Sequence, residues 1–263
     1  MGGVDDLAPI KPQVYYDPRP KEHFDRFHER SRTKEPDWAY ELTRLVTSVY
    51  AYTLLRVRAI GAEQVPGSGP VILAPNHASF MDHFISGCYL RRKIRFMAKS
   101  QLFKPPMQFI YTHGGVFPVR RGARDEEAFI TAKRLLERGC LVLMYPEGGR
   151  SRTGEIAQRA KPGIGRLALE TGAPVIPVAI HGSIYIRNWK RGRFPKVTVM
   201  YGSPLRYEVV PSPSRELQQA VADEVLAKIR ALHDHLATEG RRAALRRARE
   251  ARRRKVAAPT SAA

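Results

Sequence analysis

Acidic residues are scarce in this chain. Asp and Glu number 25 against 45 Lys and Arg, which leaves a formal net charge of +20 over 263 residues. Such a balance favours anionic partners: nucleic acid, anionic lipid or phosphorylated substrates. Cysteine is nearly absent. Cys88 and Cys140 sit in apolar surroundings and match no zinc spacing, so no disulfide framework or metal site is expected, only buried free thiols in a reducing compartment. Long apolar runs are missing too. The best candidate, within residues 47–55, falls far short of the roughly 18 residues of a spanning helix. Residues 1–20 lack the apolar h-region of a signal peptide. The expectation is a soluble or peripheral protein.

What is present suits one α/β domain. Hydrophobic residues make up 43% and charged residues 27%, ordinary for a folded chain of this length. Residues 1–36 read as an irregular leader followed by a short charged helix over 21–34, with Phe24 and Phe27 at helical spacing. Residues 37–60 contain an amphipathic helix. Asp37 is placed to cap it, and Trp38, Leu42, Leu45, Val46, Val49, Tyr50 and Leu54 form a broad apolar face. That face suits a membrane interface, or packing on the domain.

From residue 61 to 238, short apolar runs alternate with helical stretches. Strands are expected over 71–74, 94–98, 116–119, 141–145, 175–180 and 197–201. Helices are expected over 80–91, 126–138, 163–171 and 213–236. Alternation of this kind gives a mixed, largely parallel sheet flanked by helices, with active residues gathered where strands end. Pro177 inside a strand predicts a bulge or an edge position. Residues 239–263 read as a disordered basic tail: 241–255 hold eight Arg, one Lys and one Glu, and almost no large apolar side chains.

Four strand ends carry unusual polar residues. The first reads Asn76-His77-Ala78-Ser79-Phe80-Met81-Asp82. A hydroxyl needs a base to attack a thioester, and a carboxylate on the second imidazole nitrogen fixes the tautomer. Five helical positions rotate by roughly 500°, so His77 and Asp82 meet only if His77 lies in the loop and Asp82 in the first turn. Ser79 as cap and Asp82 three residues on give a capping-box spacing, and by the alternative reading Asp82 only caps. The adjacent His83 reads as structural. The second is Gly114-Gly115-Val116-Phe117-Pro118-Val119-Arg120-Arg121-Gly122. Arginine presents a planar fork to a phosphate, whereas Arg121 reads as part of a solvated basic loop. The third is Tyr145-Pro146-Glu147-Gly148-Gly149-Arg150-Ser151-Arg152, whose paired glycines expose N–H groups to an anion, or simply turn. The fourth, residues 175–182, is mostly a buried strand.

In this order and spacing the four segments resemble the blocks of the phosphate-acyltransferase (PlsC-like) family, best known for 1-acyl-sn-glycerol-3-phosphate acyltransferases, over roughly residues 40–205. The resemblance implies a glycerol-3-phosphate acyltransferase-like fold. It implies transfer of a fatty acyl group from acyl-coenzyme A or acyl-acyl carrier protein to the sn-2 hydroxyl of 1-acyl-glycerol-3-phosphate, a lysophospholipid, giving phosphatidic acid without a metal, a further cofactor or a covalent acyl-enzyme. His77 would be the base and Asp82 its orienter, with Asn76 and Ser79 shaping the turn. Arg120, with Phe117 at the family's G-x-x-F-x-x-R spacing, would hold the acceptor phosphate with Glu147, Gly148, Arg150 and Ser151. Lys99, Lys104 and Lys161 are secondary candidates for attracting phosphate or carrier. Gly149 stands where the family usually has Thr, and Pro118 and Val119 replace an apolar residue and an acid.

The charge fits peripheral attachment to the cytoplasmic face of a membrane, through the 37–57 helix and the Arg-rich tail. Nucleic-acid binding would explain the charge but not the four blocks, and the aromatic–basic pattern of an RNA-binding sheet is missing. Transfer to glycerol 3-phosphate, an ornithine lysolipid or another lysophospholipid remains open, as does a lipid-binding module without catalysis.

Overall fold

A computed structural model describes Leu7, residues 16–120 and residues 125–257. Seven strands carry the fold: β1 (Arg58–Ile60), β2 (Val71–Pro75), β3 (Ile94–Lys99), β4 (Val116–Val119), β5 (Leu141–Leu143), β6 (Val175–His181) and β7 (Thr198–Tyr201). They form one sheet in the order β1-β7-β6-β2-β5-β3-β4. Every neighbouring pair is parallel except β6 with β7. The mixed, largely parallel sheet is therefore as expected. Its consequence is positional: β2, β3, β4, β5 and β6 all end on the same edge, so the loops after them converge.

The helices are α1 (Asp25–Thr33), α2 (Trp38–Thr53), α3 (Asp82–Ile85), α4 (Met107–His113), α5 (Glu126–Glu137), α6 (Gly163–Thr171) and α7 (Arg215–Ala257). Strand alternation sends side chains to two cores. Val71 and Leu73 of β2 join Leu55, Val57 and Ile85 on one face. Ile72 and Ala74 join Leu135 of α5, Leu167 of α6 and Val225 and Ile229 of α7 on the other. With both faces covered, the near-continuous apolar runs of β2 and β6 are accounted for.

Pro177 lies within β6, which is an interior strand. The pairing slips there: Val178 pairs with Tyr201 but Val175 with Leu205, so three steps on one side face four on the other. The extra residue opposite Pro177 is the bulge that a strand proline requires.

Two expectations change. The helix expected over 80–91 is reduced to α3, a single turn. Residues 16–20 have no regular secondary structure; the Asp17–Arg19 pair anchors them, Arg19 donating to the carbonyls of Ser100 and Phe103. Phe24 and Phe27 then pack on Phe103. The basic tail is helical through Ala257 rather than disordered, breaking direction only at Gly240. Arg and Ala are strong helix formers. Ala244 is buried with Leu236 and Met200, and Arg241 donates to the carbonyls of Val197 and Arg56. Residues 1–6, 8–15, 121–124 and 258–263, and with them Arg121, lie outside the described residues.

α6 crosses α7 at Gly165, where a Cβ would lie 1.9 Å from the carbonyl oxygen of Gln218. Gly165→Ala is expected to force the helices apart and cost about 3 kcal/mol, the upper end for overpacking. Urea unfolding with an unchanged midpoint would contradict this crossing.

Candidate active site

The turn after β2 is built around one oxygen. Asp82 Oδ2 accepts from the backbone N–H groups of Ala78 and Ser79, each at 2.7 Å, and lies 3.0 Å from His77 Nδ1. An oxygen receiving two N–H donors acts as acceptor, so the Nδ1 proton points at it and Nε2 is the basic nitrogen. Asp82 therefore does more than cap the turn: the same oxygen faces the imidazole. Ser79 Oγ accepts from Met81 N–H at 3.2 Å, completing the turn. Asp82 is fully buried and His77 only 4% exposed.

The Tyr145 ring stacks on His77, with centroids 3.8 Å apart and planes at 14°, and His83 meets the imidazole edge-on at 5.2 Å. Sequence reasoning gave Tyr145 no role; the only signal was an aromatic residue at the end of β5, beside the strand that bears His77. Asn76 bridges the sheet edge, donating to the Ile180 carbonyl at 3.1 Å and accepting from Ile180 N–H at 2.6 Å.

The loop after β5 closes over the same turn. Glu147 Oε1 accepts from His77 N–H at 2.8 Å and Oε2 from Ala157 N–H at 3.1 Å. Ser151 N–H donates to the His77 carbonyl at 2.7 Å. Gly148 has φ of 68°, a left-handed conformation, and the Lys161 stem crosses it so closely that a Cβ would lie 2.9 Å from Lys161 Cγ. Burial pushes the Glu147 carboxyl above its ordinary value, partly offset by the two N–H groups and reinforced by Asp82.

Two cavities flank this centre. One, of about 1050 Å³, is lined by Arg120, Glu147, Gly148, Arg150, Ser151 and Lys161 among others. The other, about 530 Å³, runs from His77, His83 and Lys99 between α2 and α4, past Val46, Phe84, Met107 and Ile110. Arg150 and Met97 line both. Arg120 is held at the end of β4 by its N–H, which donates to Asp125 at 2.6 Å. Thus Arg120, Arg150, Ser151 and Lys161 share a cavity, and Lys99 faces the His77 cavity. Lys104 is exposed and lines neither, and Phe117 is fully buried in the core under α5 and α6.

A carboxyl raised by burial contributes stability that is present below its ordinary value of 4.5 and is lost as pH rises through its higher folded value. Glu147→Gln removes that titration. The unfolding free energy of wild type relative to Glu147→Gln should therefore fall as pH rises above about 4.5. A pH-independent difference in denaturant titrations would show that Glu147 does not titrate in this way.

The acyltransferase family model matches residues 56–181. A chloroplastic 1-acyl-sn-glycerol-3-phosphate acyltransferase of Arabidopsis thaliana is 28% identical over 54% of this chain, which spans only 40% of that protein's length. The Pseudomonas aeruginosa 1-acyl-sn-glycerol-3-phosphate acyltransferase is 26% identical over 77% of this chain and 80% of its own. The crystal structure of PlsC, the 1-acyl-sn-glycerophosphate acyltransferase of Thermotoga maritima, superposes with a TM-score of 0.56 at 26% identity, covering 80% of this chain and 88% of that one. A mixed sheet of this order, with a buried His-Asp pair where β2 ends and these relatives around it, makes residues 56–181 a domain of the acyltransferase family.

Proposed function

We propose that the chain transfers a fatty acyl group from an acyl thioester to the sn-2 hydroxyl of 1-acyl-glycerol-3-phosphate, giving phosphatidic acid. The observation that carries this reading is the His77–Asp82 pair placed between a cationic cavity and an apolar one. The apolar cavity suits the donor's chain. Arg120, Arg150 and Lys161 suit the acceptor's phosphate, Arg as a planar fork and Lys as a point charge. The acceptor hydroxyl attacks the thioester carbonyl while Nε2 of His77 takes its proton. The tetrahedral species collapses, the C–S bond breaks, and the proton passes to the departing sulfur, regenerating the neutral imidazole. Asp82 stabilises the imidazolium between the two steps. Glu147 acts on this chemistry through backbone: both its oxygens hold N–H groups, and a carboxylate would repel a phosphate. The reading needs no cofactor beyond acyl-coenzyme A or acyl-acyl carrier protein as co-substrate.

Among the described residues no helix is long and apolar enough to cross a membrane. The expected apolar face of α2 points outward: Trp38, Leu42, Leu45, Val46 and Val49 are all more than half exposed, continued by Phe109 and Ile110 of α4. This favours the membrane-interface reading over packing on the domain. Peripheral docking there, on a cytoplasmic leaflet, would open the apolar cavity towards lipid. The cations of the last part of α7 would add attraction of about 1 kcal/mol each near an anionic surface.

The deciding experiment is thiol release from acyl-coenzyme A, with and without 1-acyl-glycerol-3-phosphate in anionic micelles. Acceptor-dependent release with phosphatidic acid as product is expected. His77→Ala should lose about 10³-fold or more, and Asp82→Asn a comparable amount through the wrong tautomer. Silence with this acceptor, and equally with acyl-acyl carrier protein and other lysolipids, would leave lipid binding without catalysis. For docking, Leu45→Glu with Val49→Glu should weaken sedimentation with anionic vesicles at least about tenfold, since both side chains must leave the interface. Unchanged sedimentation removes α2 from the docking surface.

A further inference from the structure

After β6 the chain turns at Gly182, φ 89°, where a Cβ would lie 2.7 Å from the Lys196 carbonyl oxygen. It then enters a 3-10 helix, Ser183–Arg191, that belongs to none of the four motif segments. Ile186 and Asn188 of this helix are buried. Ile184 presses on Gly154, where a Cβ would lie 2.7 Å from its Cδ1. The half-buried Arg187 reaches further. Its Nη1 donates to the Arg152 carbonyl at 2.8 Å, and its Nη2 donates to the Ala78 carbonyl at 3.1 Å and to the Ser151 carbonyl.

Those carbonyls belong to two different elements of the site. Ala78 lies in the turn that presents His77. Ser151 and Arg152 lie in the loop that carries Arg150 and lines the cationic cavity. The guanidinium therefore spans both: Nη2 bonds a carbonyl in each, and Nη1 adds a second one in the loop, where a lysine would bring a single nitrogen. It acts opposite a second set of ties, the Ser151 N–H to the His77 carbonyl and the His77 N–H to Glu147. We infer that Arg187 is a positioning residue, locking the base turn and the phosphate loop in one register so that an acceptor held by its phosphate presents its hydroxyl to His77. This rests on the transfer reading, because register between the two loops matters only if one substrate touches both.

The test compares Arg187→Ala and Arg187→Lys with wild type in steady-state transfer. Arg187→Ala should lose about 10²-fold in kcat/KM, the scale of a misplacement near 1 Å. The acceptor KM should rise while the donor KM stays unchanged. Millimolar guanidinium should restore part of the rate, and methylammonium should not. A loss matched by a smaller folded fraction, with wild-type KM values and no rescue, overturns the inference. If Arg187→Ala does not fold, Arg187→Lys decides: a raised acceptor KM supports it and wild-type constants overturn it. If the wild type forms no phosphatidic acid, the function reading fails instead. Amide exchange then judges the register: a joint rise at residues 77–79 and 151–154 in Arg187→Lys supports it, and unchanged exchange overturns it.

Discussion

A single carboxylate oxygen organises this site. Asp82 Oδ2 receives two backbone N–H groups and faces the imidazole, so the shape of the turn and the tautomer of His77 cannot vary independently. Leaving those N–H groups unsatisfied in a buried turn would cost about 1–3 kcal/mol each. Folding of the turn and fixing of the imidazole are thus the same event. The stacked Tyr145 ring and the Glu147 carboxylate fix the imidazole and its backbone from other directions.

The sheet makes this economical. Five strands end on one edge, so short loops suffice to bring His77, Arg120, Glu147 and Arg150 to two adjoining cavities. The cationic cavity is offset by carboxylates committed to other donors: Asp125 caps α5 and binds Arg120 N–H, and Glu126 pairs with Arg166.

Much of this was legible in the sequence, for identifiable reasons. The 116–119 strand and the 163–171 helix appear where periodicity and flanking glycines place them. The His-x4-Asp spacing worked because it demands a loop position followed by a first turn, and the structure meets that geometry. β1 escaped because Arg-Ala-Ile is too short to show alternation and pairs only with distant β7. The tail looked coreless because its docking uses one alanine, Ala244, and the donors of Arg241, neither of which registers as an apolar stripe. Phe117 has the spacing of a site residue and the surroundings of a core one. Lys104 had proximity in sequence alone. Arg187 left no trace, since a side chain that binds carbonyls selects for reach and charge rather than for any motif.

The walls of the smaller cavity come largely from α2 and α4, whereas the imidazole at its end is held by the sheet edge. Capacity and chemistry are therefore written on separate elements. Thr43, Thr47 and Ile110 line the cavity, whereas the hydrogen bonds that set the imidazole run among His77, Ala78, Ser79, Asp82 and Glu147. A chain of this design can deepen or shorten the cavity by exchanging side chains on peripheral helices, and keep the same His77–Asp82 arrangement throughout.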